Sequence, residues 1–434
     1  MSEVVAGVSG LIALFVMLAL RVPVGMALLA IGFFGIASLS GWKPAMATMT
    51  STAFSMSSNY SLMVIPMFLL MGNIATTSGL SRRLFDAAYA WVGSFRGGLA
   101  SATVIGCASF AAVSGSSVAT AVTIGQVALP EMRRFHYLPT LATGVVAAGG
   151  TLGILIPPSA PFVVYALLTD QSIGRLFIAG ILPGILLTVM FILTVTIQAW
   201  HRPEIAPPGP TIPLAGKLRA LGGSSPLIAV ILISIGGIYL GIFTPVEASG
   251  IGAFLTAAIV LGGRMLKLRQ LVPVLVESVR ATAMLFMIVI GASVFGPFLS
   301  LSHIPTLVGE AMATLNFGVT GTLVMILAVM IVLGTFLETF SMLVIAMPIF
   351  FPIIVQLGID PIWFGVLIVV TVEMGLITPP VGLNVYVIKG LAPDVPMGDI
   401  FVGIVPFLFA MLITLSILLA FPAISLWLPN SMFN

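Results

Sequence analysis

Two glutamates stand alone in long uncharged stretches of the sequence. Glu338 is the only charged residue between positions 311 and 359, and Glu373 is the only one between 361 and 388. A carboxyl group in apolar surroundings is unfavourable and is therefore a functional candidate. Its chemistry would be binding of a hard cation such as Na⁺, carriage of a proton, or a hydrogen bond that latches two segments together. The alternative is a protonated glutamate that hydrogen-bonds to a neighbouring helix.

Small and hydroxyl-bearing residues surround these carboxyls and recur in the first half of the chain. Residues 114–117 (Ser-Gly-Ser-Ser) form a polar turn in an apolar stretch, as residues 337–341 (Leu-Glu-Thr-Phe-Ser) do later. Residues 149–159 combine three glycines with a Pro-Pro-Ser sequence, and residues 371–380 end in Thr-Pro-Pro. Since proline removes a donor and disrupts the preceding turn, neither segment can be a continuous helix. Broken helix ends of this kind can bind Na⁺ through free carbonyls and anions through N-termini; the alternative is close helix packing with a proline kink.

The composition places these residues in a membrane. Of 434 residues, 59% are hydrophobic and only 7% are charged, against about 25% charged residues in a soluble globular chain. Several uncharged stretches exceed the roughly 20 residues that a helix needs to cross a bilayer. We therefore predict an all-α polytopic membrane protein, whose N-terminal apolar run is a first transmembrane helix and not a cleaved signal.

The same sequence argues against other functional classes. Cys107 is the only cysteine, which excludes a disulfide scaffold and cysteine-based zinc or iron–sulfur sites. The sequence has no P-loop, no His-Glu-x-x-His and no Gly-x-Ser-x-Gly motif, so it predicts no ATPase, metalloprotease or serine hydrolase. No basic patch on a soluble domain supports nucleic-acid binding. We therefore expect no catalytic residues, no transition metal and no organic cofactor.

The spacing of prolines indicates that the chain arose by internal duplication. Shifting the first half by 222 residues superimposes five prolines on prolines of the second half, where about one coincidence is expected by chance. These pairs are Pro23 with Pro245, Pro130 with Pro352, Pro139 with Pro361, Pro157 with Pro379 and Pro158 with Pro380. We predict repeat one at 1–212 and repeat two at 213–434, divided at the polar segment 201–219.

The distribution of charge predicts that the two repeats are inverted. Loop 82–96 carries three arginines and its equivalent 304–318 carries no Lys or Arg; loop 264–280 carries four basic residues and its equivalent 42–58 only Lys43. Because Lys and Arg mark the cytoplasmic side, equivalent loops should lie on opposite sides of the membrane. Inverted repeats with broken helices are typical of secondary transporters that bind substrate near the bilayer midplane.

A path with about five transmembrane helices per repeat follows. The predicted crossings are 4–20, 22–41, 59–80, 137–170 and 176–200, then 226–243, 245–262, 282–301, 362–392 and 400–424. Re-entrant helical hairpins are predicted at about 97–131 and 320–352, with two full crossings each as the alternative. The crossings at 137–170 and 362–392 are the broken helices. Both chain termini are then expected outside the cytoplasm.

At these residues the sequence resembles the large membrane subunit of TRAP (tripartite ATP-independent periplasmic) transporters. The resemblance covers essentially the whole chain and is carried by residues 153–159 (Gly-Ile-Leu-Ile-Pro-Pro-Ser), 336–339 (Phe-Leu-Glu-Thr) and 375–384 (Gly-Leu-Ile-Thr-Pro-Pro-Val-Gly-Leu-Asn). It implies a Na⁺-driven importer of a small organic anion, such as a C4-dicarboxylate, a sialic acid or a sugar acid, in the bacterial inner membrane. The implied partners are a small four-helix membrane subunit and a periplasmic substrate-binding protein. The implied mechanism is of the elevator type, in which both hairpins and both broken helices move against the remaining scaffold.

The resemblance also implies about two sodium sites, with Na⁺ as the coupling ion. Sodium site one would comprise Ser114, Gly115, Ser116, Gly150, Thr151, Gly153 and Ile156. Sodium site two would comprise Glu338, Thr339, Glu373, Gly375 and Thr378. The residues expected to line the substrate are Ser117, Pro158, Ser159, Ser341, Pro380 and Asn384. The membrane core holds no arginine for a carboxylate, so helix N-termini and hydroxyls would have to bind it.

Three other functions remain open from the sequence. The first is a stand-alone di- or tricarboxylate transporter or a Na⁺/H⁺ antiporter of the same ion-transporter superfamily. The second is an intramembrane enzyme, and the third is a scaffold that assembles partners. Substrate accumulation against a gradient would exclude the last two.

Overall fold

A computed structural model describes residues 2–432 as an assembly of helices. Within that part of the chain no strand is present, so the all-α prediction is confirmed. The helices of the first half are α1 Glu3–Ala19, α2 Val24–Ser40, α3 Trp42–Ser57, α4 Val64–Thr77, α5 Leu80–Val92, α6 Gly98–Ser114, α7 Ser117–Arg134, α8 Pro139–Leu155, α9 Ala160–Thr169 and α10 Ile173–His201. Those of the second half are α11 Leu214–Tyr239, α12 Pro245–Gly262, α13 Leu268–Leu301, α14 Ile304–Thr314, α15 Gly318–Gly334, α16 Thr339–Gln356, α17 Pro361–Gly375, α18 Leu383–Leu391, α19 Met397–Ala420 and α20 Ala423–Ser431. The prediction about the two termini concerns residues 1, 433 and 434, which lie outside the described residues.

Several helices differ from the sequence prediction. Residues 42–57, expected to be a connection, form α3, in which only Ala45 is buried. The sequence did not predict this helix because the segment is rich in hydroxyl-bearing residues. The sequence likewise does not predict the helices α5 and α14. The predicted crossing 282–301 is the second part of α13, which begins at Leu268, and the central segment 201–219 shrinks to residues 202–213 because α10 and α11 extend into it.

Helix lengths bear on the number of crossings. By length and composition, seven helical segments in the described residues can span a bilayer, or eight if α8 and α9 form one bent span. The helices α1, α2 and α17 are apolar but have only 15–17 residues, or about 23–26 Å at 1.5 Å per residue. The ten predicted crossings and the re-entrant topology therefore stay predictions.

The helix bounds follow the displacement of 222 residues through most of the chain. Adding 222 to the bounds of α7 gives 339–356, which are the bounds of α16. The pairs α2 and α12, α5 and α14, α6 and α15, α8 and α17, α9 and α18, and α10 and α19 agree within three residues at each end. In the second half, α13 takes the place of both α3 and α4. The inversion of the repeats stays a prediction.

Glycines let α2 pack directly on the backbone of α13. A Cβ atom at Gly32 would lie 2.8 Å from the backbone nitrogen of Phe295, and one at Gly25 would lie 2.5 Å from the carbonyl oxygen of Met287. In a membrane the hydrophobic effect does not hold helices together, so close contact between small residues does. The packing of α2 on α13 therefore depends on these two glycines.

The variant Gly32→Ala should lower the melting temperature of the purified protein. The new methyl group would press on the α13 backbone, which cannot rotate away, and overpacking of this kind typically costs about 1–3 kcal/mol. Gly296→Ala is the matched control, because a Cβ there meets no heavy atom within 4 Å. Thermal unfolding in detergent measures the difference, and equal melting temperatures for the two variants would contradict the close packing.

Candidate functional site

The first polar turn joins α6 to α7 and forms the tip of hairpin one. The helix α6 ends at Ser114, Gly115 adopts a left-handed conformation with φ +59°, and Ser116 is extended. The Ser116 hydroxyl accepts a hydrogen bond from the backbone N–H of Ala119 at 3.3 Å and so caps α7. The Ser114 and Thr120 hydroxyls lie 2.8 Å apart, which ties the two arms of the hairpin together.

The first broken helix consists of α8 and α9, which are bent by 42°. The prolines at 157 and 158 interrupt the backbone, and the Ser159 hydroxyl donates to the carbonyl of Ile154. Thr151 donates to the Ala148 carbonyl at 2.6 Å within its own helix. Gly153 lies against the hairpin, since a Cβ there would be 2.5 Å from the carbonyl oxygen of Ser116. The first broken helix thus touches the tip of hairpin one through backbone.

Free carbonyls accumulate where these helix ends meet. Among residues 2–432, no backbone N–H or side-chain donor is paired with the carbonyls of Val113, Ser114, Gly153 or Leu155. Unpaired carbonyls within a membrane are tolerated only where protein or an aqueous cavity satisfies them. The carbonyls of Ser114 and Gly153 belong to residues predicted for sodium site one, and that site stays a prediction.

The tip of hairpin two joins α15 to α16 and is capped by a carboxylate. Glu338 accepts hydrogen bonds from the backbone N–H groups of Phe340 at 3.1 Å and Ser341 at 3.4 Å, and from the Ser341 hydroxyl at 3.1 Å. A negative charge at this position is stabilised by the helix dipole. Glu338 therefore occupies the position in α16 that Ser116 occupies in α7.

The second broken helix runs from α17 to α18, separated by residues 376–382. The Thr378 hydroxyl donates to the Met374 carbonyl at 2.6 Å. A Cβ at Gly375 would lie 2.6 Å from the Cα of Gly334, so the end of α17 touches the end of α15. The structure thus brings the predicted residue Gly375 beside the end of hairpin two, while Thr378 bonds back to its own helix and Glu373 makes its hydrogen bond elsewhere.

Glu373 contacts hairpin one. Its Oε2 accepts a hydrogen bond from the Ser117 hydroxyl at 3.3 Å, and the Asn384 amide donates to that same hydroxyl at 2.7 Å. All three side chains are buried. Sequence reasoning grouped Glu373 with the tip of hairpin two, because it could not show which hairpin α17 faces.

Both tips and both breaks line one cavity with about 660 Å³ of empty space, its opening included. Each of the helices α7, α9, α16 and α18 places its first residue on the wall: Ser117, Ala160, Thr339 and Leu383. Glu338 is the one charged side chain on the wall. Four helix N-termini therefore point their partial positive charge at a space that no Lys or Arg lines.

Most of the residues predicted to line the substrate do not lie on the wall of this cavity. Of the six, only Ser117 lies on the cavity wall. Pro158, Ser159, Ser341 and Asn384 are buried and Pro380 is exposed, and their role in lining the substrate stays a prediction.

The opposite wall comes from α4 and α13, which the sequence did not mark. Leu69, Ala281, Met284 and Leu285 line the cavity there. They are ordinary apolar residues of spanning helices, and nothing in the sequence distinguishes them from residues that face lipid.

An ion pair outside the membrane segments joins the two halves. Arg133 at the end of α7 lies 2.6 Å from Asp394, which follows α18. The backbone N–H of Asp394 and then the Arg133 side chain hold the pKa of Asp394 below its usual range. Both side chains are exposed, so the pair contributes little to stability and less at high salt.

The described residues contain no group of three His, Cys, Asp or Glu side chains that could hold a metal ion. The oxygen atoms at the helix breaks suit a hard cation and not a transition metal.

Comparison with known proteins identifies relatives along most of the chain. Residues 11–424 match the family described as "Tripartite ATP-independent periplasmic transporter, DctM component". The chain is 41% identical to the C4-dicarboxylate TRAP transporter large permease protein DctM of Pseudomonas aeruginosa, with 87% of this chain and 88% of that one covered. It is 33% identical to the isethionate TRAP transporter permease protein DctMQ of Oleidesulfovibrio alaskensis, with 96% of this chain and 65% of that one covered. In fold it is similar to the crystal structure of the YdaH transporter of Alcanivorax borkumensis, with a TM-score of 0.65, 15% identity and coverage of 88% and 89%.

The variant Gly153→Ala should loosen the tip of hairpin one. A methyl group at 153 would meet the Ser116 carbonyl and, at 2.7 Å, the Thr120 hydroxyl, and the tip must shift to admit it. A cysteine at position 116 (S116C) should then react several-fold faster with a maleimide, whereas the native Cys107 is buried and should not be labelled. Gly390→Ala, where a Cβ meets nothing within 4 Å, is the control. An unchanged labelling rate in Gly153→Ala would contradict the contact.

Proposed function

Because the chain belongs to the DctM component family of tripartite ATP-independent periplasmic transporters, a family of transporters and not of enzymes, we propose that it imports a small organic anion by Na⁺ symport. It is a multi-pass membrane protein, and we place it in the bacterial inner membrane. The observation that carries the proposal is the convergence of four helix N-termini on one cavity between the two hairpin tips.

The cavity suits an anion without a basic side chain. A helix N-terminus carries roughly half a positive charge and attracts carboxylate, sulfonate or phosphate. Of the four, that of α16 is partly neutralised by its Glu338 cap, which leaves mainly those of α7, α9 and α18 to attract the anion. The names of the two relatives fit this chemistry, since they specify a C4-dicarboxylate and isethionate. We therefore propose that the substrate is a small organic acid, such as a C4-dicarboxylate, a sialic acid or a sugar acid.

Sodium would bind at both helix breaks. At site one the carbonyls of Ser114 and Gly153 have no donor within residues 2–432, and Gly153 lies against the Ser116 backbone, so we propose that these carbonyls and the Ser116 hydroxyl bind the ion. At site two, Glu338 and Thr339 line the same cavity as Leu376, the residue after Gly375, and we propose that Gly375 and Thr378 complete the site. Oxygen ligands of this kind suit a hard cation, and an ion beside the cavity would add positive charge where the substrate anion binds. Binding of the ion and binding of the anion would then favour each other.

The apolar wall of the cavity supports movement of the elevator type. In residues 2–432, no hydrogen bond joins α4 or α13 to the hairpin helices α6, α7, α15 and α16. Apolar contact is non-directional, so it permits sliding without a series of bonds to break. We propose that the hairpins and broken helices form the moving body and that α4 and α13 belong to the scaffold.

Two partners follow from the family and the relatives. The family is named tripartite and periplasmic, and one relative is a large permease protein. The DctMQ relative is longer than this chain, which covers 65% of it, so it has room for a second membrane component. We propose that a small four-helix membrane subunit and a periplasmic substrate-binding protein complete the transporter.

The variants Ser116→Ala and Glu338→Gln should each reduce Na⁺-driven uptake. Each removes an oxygen ligand, and a loss of about 1.4 kcal/mol in ion binding weakens affinity about tenfold. Uptake of labelled substrate into proteoliposomes at low Na⁺ measures the effect. Ser225→Ala and Glu277→Gln are the matched controls, because both side chains are exposed. Wild-type rates in both Ser116→Ala and Glu338→Gln would refute the two sodium sites.

Reconstitution of components should separate this function from its alternative. We expect uptake only when the chain, the small membrane subunit and the loaded binding protein are all present, since the binding protein delivers the substrate. Omission of each component in turn is the control. Full uptake by the chain alone would favour a stand-alone carboxylate transporter, and Na⁺/H⁺ exchange without substrate would favour an antiporter.

A further inference from the structure

A fully buried carboxylate lies behind the cavity, in a cluster that neither hairpin site requires. Glu373 of α17 and Asn384 of α18 have no exposed surface, and Ser117 of α7 is 4% exposed. Three helices from both halves of the chain meet at these side chains. Of the three, only Ser117 reaches the cavity wall, so the carboxylate and the amide lie outside the cavity.

The direction of each hydrogen bond follows from the donors that are present. The Asn384 amide nitrogen donates to the Ser117 hydroxyl at 2.7 Å and faces the Ala147 carbonyl at 3.5 Å. Ser117 then donates its single proton to Glu373 Oε2 at 3.3 Å. Glu373 Oε1 and Asn384 Oδ1 are left as buried oxygens without a donor.

No cation of the protein compensates the carboxylate. The three ion pairs in residues 2–432 involve other acidic groups, all of them at least one-third exposed. A buried charge without a partner is strongly unfavourable, and buried charges are therefore paired or coordinate metal ions. The unpaired Oε1 of this uncompensated carboxylate and the unpaired Oδ1 of Asn384 together indicate a binding site for a cation.

We propose that Glu373, Asn384 and Ser117 form a sodium site of their own, separate from the two sites at the hairpin tips. Carboxylate, amide and hydroxyl oxygens are the ligands that hard cations prefer, and a single carboxylate balances a monovalent ion. A bound Na⁺ neutralises Glu373 and contacts the oxygens that lack donors. The site rests on the proposed Na⁺ coupling and adds one ion to it.

The duplication does not provide a second copy of this site. A displacement of 222 residues relates Glu373 to Thr151, Asn384 to Phe162 and Ser117 to Thr339. Thr151 donates to its own helix, and Phe162 has an apolar ring. The chain therefore gains one ion here, and that ion joins the tip of hairpin one to the second broken helix.

Equilibrium binding of ²²Na⁺ to the purified full-length protein tests the proposal. We expect Glu373→Gln to bind one ion fewer per chain than the wild type, and Glu373→Gln combined with Glu338→Gln to lose a further ion. Glu277→Gln, on the exposed face of α13, should bind as many ions as the wild type. An unchanged number of ions and unchanged affinity in Glu373→Gln would overturn the site and leave a protonated, structural glutamate.

Further measurements keep the result interpretable. In Na⁺-free medium Glu373→Gln should melt at or above the wild-type temperature, since it removes an uncompensated charge, and added Na⁺ should raise its melting temperature less. A lower melting temperature in Na⁺-free medium would also count against the site. If the Glu373→Gln protein is not produced in folded form, Ser117→Ala replaces it and should weaken the binding of one Na⁺ ion about tenfold. A wild-type binding isotherm in Ser117→Ala would overturn the proposal. A wild-type protein that binds no Na⁺ at all would instead refute the Na⁺ coupling on which the site rests.

Discussion

A backbone carbonyl at the depth of a membrane has no water to pair with, and this constraint governs the whole site. The paired prolines interrupt α8 and α17 and leave carbonyls without their helical donors. At the first break the Ser159 hydroxyl donates to the Ile154 carbonyl, which Pro158 leaves without a helical donor. At the second break the backbone N–H groups of Thr378 and Asn384 donate to the carbonyls of Gly375 and Leu376. The carbonyls that these donors do not reach, such as that of Gly153, must face a partner from elsewhere. A transporter gains from this arrangement because a cation that binds and leaves can be that partner.

The two halves share a backbone plan but differ in charge. Ser116 and Glu338 both cap the second helix of a hairpin, one with a neutral hydroxyl and the other with a carboxylate. The positive end of α16 is therefore partly neutralised by its own cap, whereas that of α7 remains available to an anion. Thr151 bonds within α8, while its counterpart Glu373 reaches another helix. Symmetric helices thus enclose an electrically asymmetric site.

Local features of the fold could be predicted from the sequence, whereas distant contacts could not. A polar turn in an apolar stretch located both hairpin tips, and each Pro-Pro pair located a helix break. The segment that became α3 was missed because its serines and threonines lower its hydropathy below that of a crossing. The bond between Ser117 and Glu373 joins residues 256 positions apart, and no periodicity reports which helices become neighbours. The α13 side of the cavity, with Met284, carries no local signal for the same reason.

The second broken helix contacts both hairpins and connects them. Its α17 touches the end of hairpin two where Gly375 meets Gly334, and it reaches the tip of hairpin one through Glu373. Close backbone contact and a buried hydrogen bond both resist separation, so neither hairpin can move far without α17. The contacts of these elements with α4 and α13 lack hydrogen bonds within residues 2–432 and are apolar at the cavity. One close backbone contact does occur there, since a Cβ at Gly72 of α4 would lie 2.9 Å from the carbonyl oxygen of Val113 in α6. In the elevator movement that we propose, the displacement would occur at this boundary, because the contact at Gly72 is all that must be released there, whereas movement of a hairpin away from α17 would expose a buried carboxylate.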